Sequence, residues 1–187
     1  MFELYHTPLM GIGSAAEVWI DKDAKLCKKY YRPDSIIANG NRTQYRSMEK
    51  LSRFFNNEVQ WSTKLQSPHV LQLYEYGELP EAAGYYILQE YIGPDLLTVY
   101  LTGQLHTLYP DIIEQVEHMF SILQEHNIYK LNNTLSNMVG ENGKIKMFDF
   151  KYTQLRTQEN QSKERYSITE WLTKIDPSIT DRLLKYI

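Results

Sequence analysis

Asn137 and Asp149 stand at the two ends of one short stretch, NIYKLNNTLSNMVGENGKIKMFDFK, residues 127–151. An amide oxygen and a carboxylate are hard ligands, of the kind Mg2+ takes when it carries a nucleotide's phosphates. The same two residue types are also ordinary turn residues, so the pair has two readings until its setting is known. That setting is legible. Asn142-Gly143 tolerate positive φ and predict a tight hairpin turn, with Met138-Val139 entering and Ile145 and Met147 leaving as strand-forming apolar residues. A hairpin so built brings the polar group before its first strand together with the one after its second.

The elements around this stretch must position it. The 187 residues, 42% hydrophobic and 23% charged, can bury a core and read as one domain with two lobes. A net charge of −3 with scattered basic residues gives no expectation of a nucleic-acid partner. No apolar run reaches the length of a membrane span, and the opening MFELYHTPLM lacks the layout of a secretory signal. A single cysteine, Cys27, permits no internal disulfide and suits a reducing compartment. The expected location is the cytoplasm, or a host cytosol reached by non-classical secretion. Zinc is not expected, because Cys27 and the five histidines, His6, His69, His106, His118 and His126, lack ligand spacing.

Residues 9–21, LMGIGSAAEVWID, open with Gly11 and Gly13, followed by small residues and an alternating strand. Small residues let backbone N–H groups approach phosphate oxygens closely. A second strand covers 25–30, in which Leu26, Lys28 and Tyr30 share a face by period two. A lysine facing the same way as leucine is either a surface group or a buried cation in need of a partner. Residues 44–66 show helical spacing, with Leu51, Phe55, Glu58 and Leu65 on one face and Phe54 and Trp61 flanking. Glu58 is then either an exposed edge residue or a buried carboxylate, and Lys28 is the candidate partner.

Strands are expected at 70–76 and 85–90, and the chain turns helical after Tyr91-Ile92-Gly93-Pro94-Asp95. Asp95 is a candidate cap for a short helix to Leu101, and residues 110–125 form a longer helix burying Ile112, Val116, Met119, Phe120 and Leu123. His118 and His126 there read as surface or core-edge residues. Residues 152–167 are polar and read as an irregular segment, with two short helices to follow, 167–174 and 177–186.

Taken in order, these features resemble the protein-kinase superfamily. Gly11, Gly13, Ser14 and Val18 stand where the kinase glycine loop covers the phosphates, with Ala16 in place of the third glycine. Lys28 matches the strand lysine and Glu58 the helix glutamate. Gln89 matches the gatekeeper, and Glu90 to Ile92 the backbone that meets the adenine. Asn137 and Asp149 match the two metal ligands, in D-x-x-x-x-N and D-F-G. The resemblance implies an α+β, bilobal kinase-like fold: a β-rich N-lobe and hinge over 1–92, a truncated helical C-lobe over 93–187, ATP and Mg2+ bound where lobes meet, and a protein substrate or partner.

The departures are equally specific. H-R-D is here Lys130-Leu131-Asn132, so an amide occupies the catalytic Asp position; D-F-G is Asp149-Phe150-Lys151; and no A-P-E follows. Such a layout looks like the short effector kinases secreted by enteric pathogens, the OspG and NleH type, which engage host signalling or ubiquitin-pathway proteins. The expected function is that of a pseudokinase or weakly active Ser/Thr kinase of this type. Alternatives are a pure protein-binding scaffold with a kinase fold, an active kinase carrying an inactivating Asp-to-Asn change, and a small-molecule phosphotransferase.

Overall fold

Period-two alternation over Glu17–Asp21, Leu26–Tyr31 and Tyr85–Glu90 makes the strands that organise the N-terminal half. In the computed structural model, which describes residues 1–4, 16–33, 47–80 and 84–187, these are β2, β3 and β5 of a five-stranded antiparallel sheet. The sheet is ordered β1-β2-β3-β5-β4, with β1 (Glu3–Leu4) and β4 (Leu73–Glu78) at its edges. The expected strand at 70–76 therefore begins only at Leu73, and Val70 makes an isolated bridge to Met147 instead. Helix α1 (Met48–Lys64) is shorter than the helix expected over 44–66: Ser47, Leu65 and Gln66 are not helical, and 44–46 lie outside the described residues.

The chain divides into two compact units, Met1–Thr63 with Gln72–Tyr91, and Lys64–Leu71 with Ile92–Ile187. In the first, Leu51, Phe54 and Phe55 of α1 pack with Tyr31 and Ile87 of the sheet and with Ala16 just before β2. Phe55 stacks on Tyr85 at 4.6 Å between centroids and meets Tyr31 edge-on at 6.2 Å, geometries that aromatic quadrupoles favour.

The second unit is mainly helical: α2 (Leu96–Leu101), α3 (Leu105–Leu108), α4 (Ile112–Glu125), α5 (Gln158–Trp171) and α6 (Ile179–Leu183). Asp95 caps α2 by accepting from the Thr98 N–H at 3.0 Å, and the whole expected stripe of α4 is buried. Two small antiparallel pairs lie among these helices. One joins β6 (Ile128–Lys130) to β9 (Thr153–Leu155); the other is the expected hairpin, β7 (Met138–Glu141) and β8 (Lys144–Met147). Its turn residues adopt φ 52 at Asn142 and φ 76 at Gly143. The protein is thus α+β, a β-sheet unit and a mainly helical one, consistent with a kinase-like bilobal fold. No helix among the described residues is long and apolar enough to cross a membrane.

One expectation fails here. Residues 152–167 are not irregular: the chain passes from β9 through Arg156 and Thr157 into α5, whose first turn is capped by the Thr157 hydroxyl accepting from the Asn160 N–H at 3.2 Å. The buried side of α5 is largely polar, Asn160, Glu164 and Ser167 beside Ile168, so apolar periodicity could not announce it.

The β7–β8 hairpin is held in place by a buried amide. Gln115 on α4 donates to the Gly143 carbonyl at 2.7 Å and to Asp111 Oδ1 at 2.8 Å, and its Oε1 accepts from the Ile145 N–H at 2.8 Å. On its other edge, β8 bonds the segment before β4, with Met147 N–H to the His69 carbonyl at 2.9 Å and Leu71 N–H to the Met147 carbonyl at 3.2 Å. Gln115→Ala would leave the Ile145 N–H buried without its partner. The variant is expected to lose about 1–3 kcal/mol of unfolding free energy in a denaturant titration, and a loss below about 0.5 kcal/mol would show that the hairpin does not depend on this amide.

Candidate functional site

Each unit carries part of the set that the sequence singles out. In the first, strand register decides which lysine faces inward. β3 pairs with β2 so that Val18 lies opposite Lys29, and with β5 so that Cys27 lies opposite Gln89. Cross-strand partners share a face, so Val18, Cys27, Lys29 and Gln89 point to one side and Lys28 to the other. Glu58 of α1, buried on its helix's apolar face, takes Lys29: Nζ and Oε1 are 2.7 Å apart, with side chains 7% and 1% exposed.

This corrects the expected pairing. Lys28 is not the partner of Glu58; it is half-buried on the opposite face, its ammonium 4.9 Å from the Tyr86 ring and 5.3 Å from the Tyr30 ring. The sequence Lys28-Lys29 offers two lysines one residue apart, and a one-residue shift exchanges the faces. The signal that could have chosen between them was Tyr31, which belongs with Lys29 on the face packed against Phe55.

Gln89 is buried and hydrogen-bonds Cys27, whose thiol is pushed up to about 11 by burial, with Lys29 pulling the other way. Glu90 faces away and its Oε2 accepts from the Gln72 N–H at 3.1 Å. Ile92, in the second unit, is buried with Leu71 and Val139. Gly11, Gly13 and Ser14 lie outside the described residues.

The second unit brings together Asn132, Asn137 and Asp149. Asn132 Nδ2 donates to the Asp149 carbonyl at 3.0 Å and to its Oδ2 at 3.2 Å, while Asn137 Nδ2 donates to the Asn132 carbonyl at 2.8 Å. Asp149 is held in the left-handed region, φ 65 and ψ 66, which a non-glycine residue adopts only when its surroundings impose it. Lys151, two residues on, sets its Nζ 2.6 Å from the same Oδ2. Sequence reasoning named Lys151 as a departure but not as a partner of Asp149.

Chemically, the Asn137 amide oxygen and the Asp149 carboxylate fit a hard divalent cation that also binds phosphates. Among the described residues no group of three or more His, Cys, Asp or Glu could cage a metal by itself, so such a cation would draw its remaining ligands from phosphate and water.

Behind this loop lies a network that the sequence did not reveal. Lys130, fully buried, donates to Asn132 Oδ1 at 3.1 Å and lies 5.7 Å from the Phe150 ring centroid. Asn133 Nδ2 donates to the Lys130 carbonyl at 2.6 Å and to Glu164 Oε1 at 2.8 Å, and the Ser167 hydroxyl donates to the Asn133 carbonyl at 3.3 Å. The polar side of α5 therefore grips residues 130–133. Glu164 Oε2 has no hydrogen-bond partner among the described residues, and burial pushes the carboxyl up to about 8 against the pull of Lys130 and Arg156.

Two measurements check these assignments. Breaking a buried ion pair by removing one member is expected to cost about 3 kcal/mol or more, against about 1 kcal/mol or less for a partly exposed cation over a ring. Lys29→Met should therefore destabilise far more than Lys28→Met in urea titrations; the reverse order would return Glu58 to Lys28. Glu164 holds its proton more tightly folded than unfolded. Its contribution is thus complete below 4.5 and is lost as pH rises toward about 8. Glu164→Gln keeps an acceptor for Asn133 without the titration, so its melting temperature should fall less than that of the wild type across this window. Parallel curves would put the carboxyl back in its ordinary range.

No protein-family model matches the chain. It is 28% identical over 153 residues to serine/threonine-protein kinases PknA of Corynebacterium glutamicum, covering 76% of this chain and 30% of that protein. Identity to drp72 of Corynebacterium efficiens, another serine/threonine protein kinase, is 29% over 153 residues, with 76% and 28% covered. For the serine/threonine-protein kinase PrkC of Bacillus subtilis it is 26% over 149 residues, with 76% and 21% covered. The chain thus spans 30% or less of the length of these curated relatives. The chain is thus similar to bacterial serine/threonine-protein kinases over 76% of its length, and its α+β architecture is consistent with a kinase-like fold.

Proposed function

We propose that the chain binds ATP with Mg2+ and transfers phosphate to Ser/Thr weakly or not at all, as a pseudokinase of effector type acting on or binding a protein partner. The observation that carries this reading is the use Asn132 makes of its amide. Its Nδ2 donates to Asp149, and its Oδ1 accepts from Lys130. An amide cannot take a proton from a substrate hydroxyl, and a positioned general base contributes about 10²–10⁴-fold.

The remaining parts suit nucleotide binding. Lys29, held by Glu58, would place its ammonium on the phosphates. Asn137 Oδ1 and the Asp149 carboxylate would hold Mg2+, which would spread the charge of the transferring phosphoryl group. Gly11, Gly13, Ser14, Val18, Gln89, Glu90 and Ile92 remain the proposed contacts to the nucleotide. The effector-type assignment draws support from the basic residue after Asp149-Phe150 and from the short passage, residues 150–157, that leads directly into α5. Its partner would be a host signalling or ubiquitin-pathway protein.

A second reading, a scaffold that binds protein through a kinase fold, is favoured by Tyr74 and Tyr76, 49% and 51% exposed on the edge strand β4. Aromatic residues exposed beside an open strand edge suit a protein interface.

Labelled ATP with Mg2+ separates these cases. The wild type is expected to give a melting shift with ATP and Mg2+ that Lys29→Met abolishes, and a transfer rate that Asn132→Asp raises. Wild-type turnover equal to or above that of Asn132→Asp would reject the impaired-transfer reading. A protein that ATP does not stabilise at all would leave the scaffold.

A further inference from the structure

The carboxylate that the kinase pattern offers to Mg2+ is already gripped by a cation of the chain's own. Lys151 stands where D-F-G has glycine, and its Nζ lies 2.6 Å from Asp149 Oδ2 with the two side chains 12% and 10% exposed. The contact is local, spanning two residues of a turn whose backbone is fixed by the left-handed Asp149 and by Asn132 on the Asp149 carbonyl. It is also reinforced, since Asn132 Nδ2 approaches the same oxygen at 3.2 Å.

Charge gives this arrangement its meaning. A kinase loop of the ordinary pattern sets two carboxylates beside the phosphates, and a divalent cation must neutralise them before a polyanion can settle there. Here the first is an amide, Asn132, with the Lys130 ammonium 3.1 Å from its oxygen, and the second is matched by Lys151. The loop therefore meets a phosphate with no uncompensated negative charge. An ammonium has three N–H donors and no acceptor, so a lysine bonded to a carboxylate can also donate to a phosphate oxygen, bridging the two as a metal would.

We propose that Lys151 is an internal cation that takes over much of the Mg2+ requirement, so that this chain binds ATP with little dependence on the metal. The inference rests on the nucleotide reading above and assigns Lys151 a positioning and charge-balancing role, not a catalytic one.

The test is calorimetric titration of the full chain with ATP, once with Mg2+ and once with EDTA, for the wild type, Lys151→Met and Lys151→Arg. The quantity read is the ratio of the two dissociation constants, which a general loss of stability would not move. The wild-type ratio is expected within about threefold and that of Lys151→Met at about tenfold or more, the scale of one charge-assisted hydrogen bond. Lys151→Arg should stay near the wild type. A wild-type ratio beyond about tenfold overturns the inference without any variant, so it stands or falls even if Lys151→Met does not fold. A small ratio that Lys151→Met leaves unchanged overturns the role of Lys151 alone. No saturable ATP binding in either buffer removes the nucleotide reading itself, and this inference with it.

Discussion

The backbone at Asp149 is the constraint on which the helical unit's chemistry depends. A left-handed conformation costs a residue with a Cβ about 1–3 kcal/mol and persists only where its neighbours over-determine it. Here the neighbours are the Asn132 amide on the carbonyl and the Lys151 ammonium on the carboxylate. From this corner the chain runs into buried Phe150 and then into β9, which pairs with β6 just ahead of Asn132. The corner thus ties the two loops that carry Asn132 and Asp149, while the hairpin between them, pinned by Gln115, sets where Asn137 stands.

Two buried carboxylates show two answers to the same cost. Glu58 lies deep against the sheet and is matched by a lysine ammonium at ion-pair distance, so its charge is compensated where it is buried. Glu164 has one oxygen on Asn133 and the other without a hydrogen bond among the described residues, and burial pushes its carboxyl up despite the pull of Lys130 and Arg156, which favours the protonated form. The first carboxylate orders a charged side chain; the second behaves as a neutral hydrogen-bonding plug between α5 and the loop before the hairpin.

Much of the fold was legible because it is written in local periodicity and turn chemistry. Asn142-Gly143 predicts the hairpin through its positive φ angles, Asp95 predicts its cap, and the stripe of α4 follows from spacing alone. The helical face of α1 was equally readable, including the placing of Glu58 among apolar residues. α5 was missed because its buried stripe is polar, Asn160, Glu164 and Ser167, and looks in sequence like a solvated segment. Asn133 opposite Glu164 and Ser167, with the Leu155 carbonyl opposite Asn160, turns that stripe into an interior surface.

The sequence by itself determined which residue types are available and in what order: a lysine pair on a strand, a glutamate on a helix, an amide at position 132, an amide and a carboxylate flanking a hairpin. Tertiary structure decided which of them meet. Lys28 and Lys29 are chemically equal, and only the register of β3 between β2 and β5 gives Lys29 to Glu58 and Lys28 to the tyrosine face. Likewise a lysine two residues after an aspartate says nothing of contact until a left-handed turn folds the one back onto the other. The physical reason is common to both: composition and spacing specify local preference, whereas the face a side chain presents depends on which neighbouring strand or turn has already claimed the backbone.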